Sequence, residues 1–252
     1  MRIEIYLAVL GLVLGELMMF LSHTFLGLAV HIINLQAITL AIVLGDIPIN
    51  RKNVLQSLLL LLQMRIINLA MPQFFTISLL WYPLVYGVMF IPIYYVANHQ
   101  NIDSNDFGMN FKNMYIYLPL ALLIGAAMAV IEYNIIHPVP LIPRLTSPNL
   151  FQIFIVMFVF VAAAEELIFR VILQTRLQSV FGIDKGLLLG AVLFGIMHAG
   201  YGLVIEVIFA TLFGLILGVI FQKTRSFPFI LTVHGTANVL LFGILPIFRT
   251  GS

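Results

Sequence analysis

Cysteine is absent from all 252 positions, which excludes disulfides, thiol nucleophiles and thiolate metal sites. Charge is scarce as well: 9% of residues are Asp, Glu, Lys or Arg, against roughly 25% in an ordinary soluble domain. With 62% hydrophobic residues and a mean hydropathy of +1.11, that scarcity points to a polytopic membrane protein. The apolar stretches are continuous and rich in Leu and Ile, about 18 to 25 residues long. They lack the period-two alternation of an outer-membrane strand, so helices rather than a barrel are expected. A formal charge of +2, with no basic cluster, leaves no footprint for nucleic acid. No long polar block, internal repeat or low-complexity tract breaks the chain, so one membrane domain is expected.

The predicted architecture is all-α, a polytopic transmembrane bundle of about eight to nine spans with a polar catalytic cavity in its C-terminal half. Residues 1–137 hold the first spans: 5–21, read as a retained anchor, then 26–44, 53–71, 74–96 and 114–136. Glu16 and Glu132 lie inside two of them, and Arg65 interrupts the third. Glu16 reads either as part of a polar cavity or as a carboxyl hydrogen-bonded within the bundle. Trp81, Tyr82, Tyr94 and Tyr95 are candidate interfacial anchors, and Pro83 and Pro92 candidate kinks. Residues 138–148, with Pro138, Pro140, Pro143 and Pro148, read as an extended connector. Residues 149–247 form the second half, with spans at 149–173, 186–199, 203–221 and 227–247. With the N-terminus cytoplasmic, Arg2, Arg51, Lys52, Lys112, Arg176, Lys185, Lys223 and Arg225 lie inside, whereas Arg144 and Arg249 lie outside, as the positive-inside rule requires.

Three polar constellations stand in the second half. In AAAEELIFR (162–170), two carboxylates and a guanidinium sit within an apolar run, where ionisable groups are costly and therefore functional by default. Glu166 and Arg170 are four apart and share a helical face, while Glu165 is rotated about 100° away and must find its partner on another helix. FGIMH (194–198) places Phe194 and His198 on one face, and HGTAN (234–238) does the same for His234 and Asn238. At about 1.5 Å per residue, Glu165, His198 and His234 lie about 13, 17 and 10 Å from the cytoplasmic ends of their spans, so they can meet in the cytoplasmic half of the bilayer or near its midplane. One carboxylate, two imidazoles and a carboxamide suffice to activate water and stabilise an oxyanion, and no serine or thiol nucleophile stands beside them. Glu206 is a candidate cavity residue, and Gly214 and Gly218 read as a close helix-packing pair.

In their order and spacing, AAAEELIFR, FGIMH and HGTAN resemble the EExxxR, FxxxH and HxxxN motifs of the CPBP family, which includes the Ras-converting CAAX prenyl endopeptidases and the Abi proteins of bacteriocin processing and immunity. The resemblance covers about residues 149–247. It implies an intramembrane endopeptidase cutting near the C-terminus of a membrane-tethered, CAAX-type or prenylated protein or peptide. It further implies that Glu165 and His198 activate water, that His234 and Asn238 hold the oxyanion, and that Glu166 and Arg170 support the site's architecture. Phe194 is expected to pack beside them. No cofactor is obligatory in this reading; the alternative is a zinc ion on Glu165, His198 and His234, although the HExxH signature is absent. The implied surroundings are a lipid bilayer, the cell membrane of a prokaryote or the endoplasmic reticulum of a eukaryote. The alternatives are a non-catalytic immunity or scaffold member, whose effect survives neutralisation of Glu165, and a proton-coupled transporter, which carries flux without cleavage.

Overall fold

The computed structural model describes residues 2–70 and 78–250. Its described residues form an antiparallel bundle of long helices. The first half supplies α1 (Ile3–Phe20), α2 (Thr24–Leu44), α3 (Ile49–Ala70), α4 (Trp81–His99) and α5 (Met114–Ile136). The second half supplies α6 (147–181), α7 (Ile183–Ile196), α8 (Val204–Thr224) and α9 (227–250). Six helical segments, in α1, α2, α5, α7, α8 and α9, are long and apolar enough to cross a membrane, making this an integral multi-pass protein.

Several expected boundaries shift for identifiable reasons. Met71 and Pro72, expected to close the third span, and residues 74–77 of the fourth lie outside the described residues. The polar loop after α4 contains a single helical turn, Ser104–Phe107, because the Asp103 carboxylate accepts from the Asn105 and Asp106 amides. Pro148 does not end the connector but sits in the first turn of α6, where a missing N–H costs nothing. Helix α7 stops at Ile196, two residues before His198, and a 3₁₀ turn, Ala199–Tyr201, follows.

Two helices are irregular. In α6, Val156–Ala162 and Leu167–Gln174 are wound with π-type i→i+5 hydrogen bonds, and only Ala163–Glu166 between them is α-helical. In α9, Leu240–Ile244 is wound the same way just after Asn238. Wide turns of this kind are rare and concentrate at functional sites, because each alters the angular phase of the side chains that follow.

Contacts at the helix ends orient the bundle. Arg2 lies over the Phe181 ring and Arg51 pairs with Glu4 at 2.6 Å. Arg176 donates to the Gln100 side chain at 2.8 Å, and the Phe227 amide donates to the Gly108 carbonyl at 2.7 Å. These contacts gather the starts of α1, α3 and α9 and the ends of α4 and α6 at one end, here termed the basic end. The opposite end holds the extended connector, where the Leu141 amide donates to the Phe242 carbonyl.

One apolar core runs through both halves. Small residues let the second-half helices approach closely enough for side chains to reach backbone. The Gly214 and Gly218 carbonyls of α8 accept from Arg170 and Gln174 of α6, and a Cβ on Gly218 would lie 2.6 Å from Leu187. In the first half, Arg65 is no mere interruption. It donates to both Glu16 oxygens, at 2.6 and 2.8 Å, and to the Met197 carbonyl beside His198. Glu16, 1% exposed, is thus a buried ion-pair partner, with His31 3.3 Å away. Arg65→Met strands that carboxylate and is expected to cost about 3–5 kcal/mol, read as earlier unfolding in detergent.

Candidate active site

The α-helical segment Ala163–Glu166 aims its two carboxylates in different directions. Glu166 faces α8 and α9 and is fully buried. Its Oε1 accepts from Arg170 Nη1 at 3.0 Å and from His234 Nδ1 at 2.6 Å. The Arg170 guanidinium lies 4.3 Å from the centre of the Phe194 ring, which stands edge-on to His234. Phe194 thus fills the wedge between the cation and the imidazole, where its quadrupole suits both.

Glu165 faces the other way. Its Oε1 accepts from Tyr86 Oη of α4 at 2.7 Å, and its Oε2 lies 3.6 Å from His234 Nε2. His234 therefore sits between the two glutamates, its Nδ1 committed to Glu166 and its Nε2 turned to Glu165. His198 is oriented similarly. Its Nδ1 lies 2.9 Å from the Phe194 carbonyl, and because a carbonyl only accepts, Nδ1 carries the proton and Nε2 remains free. Asn238, one helical turn beyond His234, is 7% exposed.

These groups line one cavity of about 460 Å³ that includes Glu165, His198, His234 and Asn238. The cavity is not confined to the C-terminal half, as the sequence suggests, because Met19, Arg65, Tyr86 and Glu132 of the first half form much of its wall. Trp81 and Tyr82, expected as interfacial anchors, line it too, whereas Tyr94 and Tyr95 are exposed on the bundle's exterior. Glu206 does not line it; it is fully buried, with no hydrogen-bond partner for either oxygen among the described residues. Among the described residues, no group of three or more His, Asp or Glu side chains is placed to hold a metal ion, and Glu165, His198 and His234 are no exception.

Tyr86 is the residue that sequence spacing misses. Its only signal is the i, i+4 repeat with Tyr82, whose ring stacks 6.3 Å from it. Tyr86→Phe removes the hydroxyl that holds Glu165 among the described residues. The expected result is unchanged folding with any Glu165-dependent activity reduced about 10- to 100-fold, since a hydrogen bond to a charged group is worth about 1.5–3 kcal/mol.

Residues 147–240, somewhat over a third of the chain, match the model of the type II CAAX prenyl endopeptidase, Rce1-like, family. No curated protein and no solved structure matches the chain. The matched segment contains all three polar motifs, from Glu165 to Asn238. Through this segment the chain is similar to the CAAX prenyl endopeptidase family.

Proposed function

We propose that the protein is an intramembrane endopeptidase that hydrolyses a peptide bond near the C-terminus of a membrane-tethered substrate, with Glu165 as general base. The observation that carries this reading is the paired orientation of the two imidazoles. Each is held through Nδ1, by Phe194 or by Glu166, and each has Nε2 left to act in the cavity that Glu165 lines.

In this scheme, water sits between Glu165 and His198 Nε2. As its oxygen attacks the scissile carbonyl, Glu165 takes one proton. The carbonyl oxygen becomes an oxyanion and accepts from the Asn238 carboxamide, with the His234 imidazole, fixed by Glu166, beside it. Collapse breaks the C–N bond, the proton on Glu165 passes to the leaving amine, the water's second proton follows from the new carboxyl group to the same nitrogen, and a carboxylate and an ammonium result. No step in this reading is routed through a metal; zinc on Glu165, His198 and His234 is the alternative that the chelation arm below addresses.

The test is proteolysis in detergent and in liposomes, using tethered peptides with prenylated and unprenylated C-termini, before and after exhaustive chelation. Cleavage that survives chelation supports the glutamate mechanism, and cleavage that chelation abolishes and zinc restores replaces it with the metal one. If well-folded protein cleaves none of the peptides, the partner-binding reading takes over.

A further inference from the structure

Of the buried carboxyl groups, Glu16, Glu165 and Glu166 each accept a hydrogen bond from another side chain, whereas Glu132 and Glu206 accept none among the described residues. Glu206 is sealed away from the cavity, but Glu132, 7% exposed on α5, lines it beside the motif residues. All twelve Lys and Arg residues of the chain fall within the described residues, and none forms an ion pair with Glu132. The Arg65 guanidinium, in the same wall, is bound to both Glu16 oxygens. Glu165 and Glu206 lie near enough for their charges to act on Glu132, and both carry its own sign. A carboxylate taken out of water without a counter-ion is costly, and like charges nearby raise that cost. This chamber is therefore short of positive charge.

The surfaces around Glu132 suit a cation as well. Trp81, Tyr82 and Tyr201 line the chamber, and no guanidinium lies over their rings among the described residues, although four arginines cover aromatic rings elsewhere. A carboxylate together with aromatic faces is the combination that holds ammonium and guanidinium groups in water-poor sites.

We infer that Glu132 forms a cation-binding subsite of the chamber, which takes the side chain of a Lys or Arg carried by the bound peptide. An ammonium or guanidinium docked there gives the carboxylate the partner that the fold withholds. Because Glu132 shares the chamber with Glu165 and His198, that contact also fixes the register of the peptide relative to them. That the chamber takes a basic side chain stands on the missing counter-ion; that the peptide is also cleaved, and that Glu132 thereby selects substrates, rests on the peptidase reading above.

The test uses the full chain in a nonionic detergent, where the added peptide is the source of the basic group. The probes are lipid-tethered peptides in which a single Lys is moved one position at a time along the segment, each matched with a norleucine peptide of the same side-chain length and no charge. At one register the Lys peptide is expected to be cleaved with a kcat/KM about 10- to 100-fold above its norleucine match, the gain usual for a hydrogen bond to a charged group. In Glu132→Gln that ratio falls to near unity, and the melting temperature is no lower than that of the wild type because no cation is stranded. A ratio near unity at every register that the wild type cleaves overturns the inference, as does a Lys preference that survives in Glu132→Gln. If Glu132→Gln does not accumulate, Glu132→Met, uncharged and of similar volume, takes its place.

Binding separates the two readings. The rise in melting temperature given by the Lys peptide is expected to exceed that given by its norleucine match in the wild type and to equal it in Glu132→Gln. Equal rises in the wild type overturn the subsite. The expected binding pattern without cleavage of any peptide removes the peptidase reading and leaves the subsite in place, and cleavage indifferent to Lys does the reverse.

Discussion

Glu165→Gln yields a folded chain whose rate of peptide cleavage falls by about 10²–10⁴-fold, the usual contribution of a positioned general base. The fold survives because glutamine keeps the shape of the side chain and a carbonyl oxygen that still accepts from Tyr86 Oη, now 2.7 Å from Glu165. No guanidinium pairs with Glu165 in the described structure, so its neutralisation strands no buried guanidinium; its ionisable neighbour is His234, 3.6 Å away. Single-turnover cleavage and a melting curve on the same preparation provide the check. A rate within about threefold of wild type would place the base elsewhere, and a large drop in melting temperature would make Glu165 a structural residue.

Glu166→Gln gives the opposite pattern, and its effect on stability is the largest expected for any single carboxylate here. Arg170 is 2% exposed and is held by Glu166 at 3.0 Å, supplemented by the Gly214 carbonyl at 3.4 Å. Removing the anion leaves a guanidinium in a medium that solvates it poorly, at a cost of about 3–5 kcal/mol. The expected readouts are a low yield of folded protein and early unfolding. A double change with Arg170→Met removes the stranded cation and is expected to recover much of that stability. Activity does not return with it, since Glu166 Oε1 also fixes His234 Nδ1 at 2.6 Å and hence the direction of Nε2. Recovery of both stability and turnover in the double variant would show that Glu166 serves Arg170 alone.

The difference between the two glutamates is legible in one dimension. A spacing of four between Glu166 and Arg170 puts them on one face, and the 100° offset of Glu165 sends it to another helix. Which helix that is, the spacing cannot say. The partner proves to be Tyr86, some 80 residues earlier, because relative rotation between helices is decided by packing. Arg65 is hidden for the same reason: as a charge in an apolar run it reads as a flaw in the span, and only the proximity of Glu16 and the Met197 carbonyl makes it a clamp. The π-type turns on either side of Glu165 and Glu166 leave no periodic trace either, since one extra residue per turn does not disturb a stretch that is apolar all round. Membrane residence, by contrast, follows from composition, which needs no knowledge of rotation at all.

The wall of the chamber has a consequence for how such a protein can change over generations. The motif residues Glu165, His198, His234 and Asn238 lie in the segment that matches the family model, whereas Arg65, Tyr86, Trp81 and Glu132 reach the same space from outside it. In the proposed reading, reaction and selectivity thus sit on separate stretches of chain. A substitution in α3, α4 or α5 reshapes what the chamber admits without altering any of the three motifs, so selection can retune the clientele while the chemistry stays fixed.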